Sequence, residues 1–148
     1  MKTHDFTTTL LVDQSPAAVF NAVNQPQNWW SGEIEGNSTR LNDEFTYRYK
    51  ELHLSRQRVV EMIPDQKVVW LVTDSRINYT EDINEWTGTR ISFEITEKGD
   101  KTELRFSHIG LVPEIECFDS CSGAWTQLIQ NGLFSLITTG KQEEIHLG

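Results

Sequence analysis

Between residues 108 and 121 the chain gathers His108, Glu114, Glu116, Cys117, Asp119 and Cys121, a set of side chains able to bind a metal or to move protons. Zinc would suit these donor types, but their spacing does not build a site. Cys117 and Cys121 can share one face of a helix, yet two further well-placed ligands are missing. No metal is therefore expected, and Cys121 is read as a small apolar group. A helix start would favour a thiolate at Cys117, but the neighbouring Glu116 and Asp119 oppose it, so an inert thiol is the expectation. His108, Tyr47, Tyr49, Arg56 and Arg58 could position a substrate and transfer protons, as in a cyclase or dehydratase. Nothing in their spacing forces them together, and ordinary strand positions account for them, with the arginines facing water or pairing with nearby acids. The chain has no Gly-x-Ser-x-Gly elbow, no Gly-rich phosphate loop and no His-Glu-x-x-His pair. No catalytic residues are assigned and no cofactor is expected; a binding protein is favoured over an enzyme.

The residues that remain are aromatic, and their phase along the chain says which elements carry them. Residues 3–12, rich in Thr, Leu and Val, read as a first strand. Ser15-Pro16 starts a short helix ending near Asn24, with Ser as N-cap and Pro at the first position, and Pro26 opens a second brief helical turn that delivers Trp29 and Trp30. Residues 31–42 read as a loop. Phe45, Tyr47 and Tyr49 then alternate with Thr46, Arg48 and Lys50, which sends a wall of rings to one side of a sheet. Residues 55–63 and 67–73 form a hairpin about Pro64-Asp65-Gln66, residues 74–84 are looser, and a second hairpin turns at Lys98-Gly99-Asp100. In that hairpin Ile91, Phe93, Ile95, Leu104 and Phe106 make one apolar face.

From residue 118 the period changes to that of a long amphipathic helix. Phe118, Cys121, Trp125, Leu128, Ile129, Gly132, Leu133, Leu136 and Ile137 share half its circumference, only Phe134 is out of place, and Gly140 is the expected C-cap. An antiparallel sheet with one apolar face must cover it, and this helix is the one element long enough to do so. The fold expected is α+β: a curved antiparallel sheet wrapped around a long C-terminal helix, with two short helices after the first strand. The space between sheet and helix is the natural small-molecule site. Its expected lining is Trp30, Phe45, Tyr47, Tyr49, Trp70, Phe93, Phe106, Trp125 and Leu128, with His108 and the tyrosine hydroxyls as polar contacts.

Composition bounds the partners. The chain has 148 residues, 37% of them hydrophobic, which fits a single domain spanning 1–148 with a core that needs no disulfide or metal. Its 22 acidic and 13 basic residues leave a net charge of -9, a field that disfavours nucleic acid and anionic lipid. No apolar run approaches the length of a membrane span, and the N-terminus lacks a basic-then-apolar signal segment. A cytoplasmic protein is expected.

Particular segments resemble a known family. Val59-Val60-Glu61-Met62-Ile63-Pro64 running into Lys67-Val68-Val69-Trp70, Trp86-Thr87-Gly88-Thr89, Phe93-Glu94-Ile95, Thr102-Glu103-Leu104-Arg105-Phe106, His108-Ile109-Gly110-Leu111-Val112-Pro113 and Gly123-Ala124-Trp125 carry the likeness. They are similar to the bacterial single-domain branch of the family of the activator of the ninety-kilodalton heat-shock chaperone ATPase, within the START-like superfamily. The resemblance implies a helix-grip fold with an apolar cavity under the last helix, and a small hydrophobic or aromatic ligand. It leaves open an enzyme of the cyclase or dehydratase kind and a stress-response protein that contacts a chaperone. The last of these calls for an exposed apolar patch, with Trp29 or Trp86 on the outside. The namesake's chaperone activity also uses a separate N-terminal domain, for which a single domain is expected to have no room.

Overall fold

The computed structural model describes residues 5–30, 33–49, 53–77, 86–112 and 118–140. Seven antiparallel strands make one curved sheet: β1 (Phe6–Val12), β2 (Glu33–Gly36), β3 (Glu44–Tyr49), β4 (His53–Ile63), β5 (Lys67–Ile77), β6 (Arg90–Lys98) and β7 (Lys101–Ile109). Their order across the sheet is β1-β7-β6-β5-β4-β3-β2, a meander from β2 to β7 with the first strand returned to its far edge. Between β1 and β2 lie α1 (Pro16–Val23) and a 3₁₀ turn (Pro26–Asn28). After β7 come α2 (Phe118–Gln127), a π-helical segment (Leu128–Leu133) and α3 (Phe134–Thr139).

Local chemistry accounts for the joints. Ser15 Oγ accepts from the backbone N–H of Ala18 at 3.2 Å and Pro16 follows it, so α1 begins where its first orphan donors can be met. Between β4 and β5 the Gln66 N–H donates to the Ile63 carbonyl at 2.9 Å, with Pro64 in the position whose φ it presets and Asp65 at φ 63°. Gly140, at φ 74°, caps α3 in the left-handed conformation. Phe134 is exposed, as its place off the apolar stripe requires.

The core lies on the concave face. Val19, Ala22 and Val23 from α1 and Cys121, Trp125, Leu128, Ile129, Leu133 and Ile137 from the C-terminal helical segments are buried against inward-facing side chains of the sheet. Two bulges re-aim the longest strand pair, between Arg56 and Gln57 and between Val59 and Glu61 in the register of β4 on β5. As a result His53, Ser55, Gln57, Val59, Val68, Trp70, Val72 and Ser75 are all buried.

Three expectations need correction. Residues 31–42 are not loop throughout, because Glu33–Gly36 pairs with β3 as an edge strand. Its alternating Glu33-Ile34-Glu35 is too short to register as a strand pattern, and Gly36 at φ 112° lies so close to β3 that a Cβ would meet the Glu44 carbonyl at 2.5 Å. Order in β5 continues to Ile77, past the expected end at residue 73. Finally, the C-terminal helix is not one continuous α-helix: Leu128–Leu133 is wound as a π-helix, which shows no distinct hydrophobic period in so short a run. The start of the first strand at residues 3 and 4, part of the looser segment (78–84), and Glu114, Glu116 and Cys117 lie outside the described residues.

Candidate functional site

The aromatic residues expected from their phase do converge. Tyr47 from β3 stacks on Trp30 with centroids 4.0 Å apart, Trp30 meets Trp125 at 5.1 Å, and Phe106 of β7 meets Trp125 at 4.6 Å. Phe45 and Phe93 set their edges against Trp70, each at 4.9 Å. Trp30, Phe45, Tyr47, Trp70, Phe93, Phe106, His108, Trp125 and Leu128 are all buried, while Tyr49 at the end of β3 is half-exposed and packs at the margin of this core. The 3₁₀ turn after α1 puts Trp29 and Trp30 into the sheet's hollow, where both lie within 11° of parallel to Trp70. Such contacts each add about 0.5–1.5 kcal/mol beyond the area they bury.

His108 sits at the polar end of this cluster, and its hydrogen bonds assign its proton. Indole Nε1 of Trp125 can only donate, and it lies 3.0 Å from His108 Nδ1, so Nδ1 is the bare acceptor. The ring proton is then on Nε2, 2.8 Å from Thr89 Oγ1, and that hydroxyl donates in turn to the Trp86 carbonyl at 2.6 Å. A directed chain runs from Trp125 through His108 and Thr89 to the backbone of Trp86. Burial pushes the His108 pKa down to about 3, helped by His53 nearby. With both ring nitrogens engaged, the imidazole orients Trp125 and offers no lone pair to a substrate.

A second buried polar group went unrecognised in the sequence. On β4, His53, Ser55 and Gln57 point inward on alternate residues, and Gln57 Nε2 donates to Ser55 Oγ at 2.5 Å, which stands 3.3 Å from His53 Nε2. Burial pushes the His53 pKa down to about 4. The rings of His53 and His108 set their edges against Trp86 at 4.3 and 4.6 Å, so one indole is held between two neutral imidazoles. A signal for this stripe did exist, because stepping back by twos from buried Val59 reaches Gln57, Ser55 and His53. It was masked because Arg56 and Arg58 make the other face of β4 polar too.

Trp86 and Trp29 are not external. Both are buried, at 4% and 1% exposure. The turn carrying Trp86 is hydrogen-bonded onto β5, with Gly88 N–H donating to the Val72 carbonyl at 2.8 Å and Val72 N–H to that of Thr89 at 2.9 Å, which tips the indole inward. Large apolar side chains exposed among the described residues are Leu11, Leu41, Ile63, Ile109 and Phe134. Arg56 and Arg58 face solvent, and Arg58 pairs with Glu44 at 2.7 Å. Asp119 is exposed and Cys121 is buried in the core.

Among the described residues, several polar atoms in this core have no hydrogen-bond partner within the protein. They include the indole Nε1 of Trp29, Trp70 and Trp86 and the side-chain Oε1 of Gln57. An orphaned buried donor or acceptor costs about 1–3 kcal/mol.

Residues 13–137 match the family model described as "Activator of Hsp90 ATPase homolog 1-like protein". The chain belongs to that family. No curated protein matches it in sequence. Among solved structures, this AHSA1-like chain is similar to the solution structure of the Aha1 dimer from Colwellia psychrerythraea, with TM-score 0.73 and 21% identity over 93% of this chain and 98% of the other. A protein from Staphylococcus saprophyticus follows at TM-score 0.69 and 14% identity, covering 97% of this chain and 98% of that one. CalU16 from Micromonospora echinospora gives TM-score 0.66 and 14% identity, covering 97% and 70%. At these identities the likeness establishes the helix-grip fold of an AHSA1-like, START-like domain, and not a shared activity.

Proposed function

We propose that this domain binds a small, flat, largely aromatic molecule between the concave face of the sheet and the C-terminal helix, and that the guest carries at least one hydrogen-bond acceptor and one donor. The supporting observation is the set of unpartnered buried groups among the rings: indole N–H donors on Trp29, Trp70 and Trp86 and the acceptor Oε1 of Gln57. A solid apolar core gains nothing from such groups, whereas a guest with a hydroxyl or carbonyl satisfies them. The π-helical segment, a distortion that recurs beside functional sites, begins three residues after Trp125. The same rings that now stack on one another would sandwich a planar guest.

The engaged nitrogens of His108 favour binding over proton transfer in this reading. The test is mass spectrometry of small molecules retained by gently purified protein, followed by tryptophan fluorescence during titration with 1-naphthol and with naphthalene. A saturable change is expected with both arenes. Gln57→Leu should weaken 1-naphthol about five- to tenfold and leave naphthalene unchanged, as expected when one hydrogen bond is lost. Phe93→Asp should abolish both responses. Protein that retains no small molecule and responds to neither arene overturns the reading.

A further inference from the structure

We infer that the convex face of the sheet is a docking surface for an extended acidic polypeptide segment, held by a cluster of arginines on β3 to β6. The register places them together. Arg58 of β4 lies opposite Leu71 of β5, which lies opposite Arg90 of β6, and these form one row across the sheet. Arg48 of β3 lies opposite Leu54, which lies opposite Arg76 of β5, forming a second row, and Arg56 stands between the two rows on β4. All five arginines are exposed, and the strand neighbours that alternate with those of β4 (His53, Ser55 and Gln57) are buried on the other face.

Five guanidinium groups within strand spacing of one another repel. Along β4 the separation of Arg56 and Arg58 is about 7 Å, and across two strands it is about 10 Å, both close to the Debye length. In a chain of net charge -9 the expected remedy is pairing with the chain's own acids. Among the described residues these arginines use it once, between Arg58 and Glu44. Glu33 lies opposite Arg48 in register and Asp74 opposite Arg56, yet among the described residues neither pair closes into an ion pair.

The occupant follows from spacing and chemistry. Same-face side chains of an extended strand recur at the Arg56–Arg58 interval, and arginine is suited to bidentate carboxylate contact. Half-buried Leu54 and Leu71 lie between the arginines and offer aliphatic contact to residues alternating with the acids. A segment with Glu or Asp at alternate positions and aliphatic residues between them therefore matches this face. A membrane matches it less well, because a convex sheet touches a plane only along a ridge, whereas an extended segment can follow the curve of the strands. The inference does not rest on the ligand proposed for the concave face.

The test is fluorescence anisotropy of a labelled peptide of alternating Glu and Val, titrated with the full chain. Saturable binding that weakens as salt rises is expected. The double variant Arg56→Glu, Arg90→Glu should lose about tenfold or more in affinity. The double variant Lys98→Glu, Lys101→Glu, at the distant β6–β7 hairpin and with the same change in net charge, should bind as the wild type does. Circular dichroism reports folding, and if the reversal unfolds the chain, Arg56→Gln with Arg90→Gln should give a smaller loss in the same direction. Equal losses in both double variants, or no saturable binding, overturn the inference. So does binding to phosphatidylserine vesicles without binding to the peptide. Sedimentation that shows a wild-type dimer dispersed by the arginine reversal would make a second copy the occupant and overturn it as well.

Discussion

Trp125, His108 and Thr89 act as a unit, since each donates to the next group in a chain whose His108 and Trp125 side chains are buried. His108→Ala removes both an acceptor and a donor, leaving the Trp125 indole N–H unpaired beside a new cavity. A loss of about 3–5 kcal/mol is expected in urea unfolding, with no change in m-value. The two histidines also set a pH dependence. Unfolded, each takes a proton near 6.5; folded, His53 holds out to about 4 and His108 to about 3. Between those limits the unfolded state binds more protons, so stability falls as pH falls, by about 1.4 kcal/mol per unit for each histidine once pH is below 6.5. Urea midpoints measured from pH 7 down to 4.5 should decline. His53→Gln should flatten that decline in the range where His53 would otherwise titrate.

At the scale of elements, β4 is the informative strand. Its inward stripe turns from apolar at Val59 to polar at Gln57, Ser55 and His53, so one half of the concave face is greasy and the other carries hydrogen-bonding groups. Gln57→Leu keeps most of the volume but removes an orphaned Oε1 together with the Nε2 donor to Ser55 Oγ, whose hydroxyl keeps His53 Nε2 as a partner. Relief of the orphan should outweigh the bond lost and raise the unfolding free energy of the empty protein by up to about 1 kcal/mol in a chemical melt. A stabilised variant that has lost affinity for 1-naphthol is what a binding group looks like; loss of stability would mean that the amide serves the fold. The edge strands are handled differently. Gln130 of the π-helical segment donates to Thr8 Oγ1 at 2.8 Å and covers part of β1, while β2 is short and acidic.

At the scale of the molecule, the sheet presents two unlike faces: a concave one filled with aromatic rings and a convex one bearing exposed arginines. No helix among the described residues is long and apolar enough to cross a membrane. A guest that binds only the folded domain stabilises it by mass action, about 2.7 kcal/mol at a hundredfold excess over its dissociation constant. Thermal melts of protein before and after removal of any retained small molecule should therefore differ, with the stripped form melting lower.

The residues alone determined most strand periods, the caps at Ser15 and Gly140, the turns at Pro64 and Gly99 and the inward rings other than Tyr49, Trp29 and Trp86, because alternation and helical stripes are local properties that contrast apolar with polar. The family motifs determined the fold. What only the tertiary structure decided lies where that contrast fails or where distant segments meet. β4 is polar on both faces, so the inward aim of His53, Ser55 and Gln57 follows only from its place in the sheet. β2 is four residues long and is a strand because β3 pairs with it. Trp86 is internal because its turn is hydrogen-bonded to β5, and the proton of His108 is placed by an indole 17 residues along the chain. Long-range hydrogen bonds and packing have no period, and a single sequence carries no mark of them.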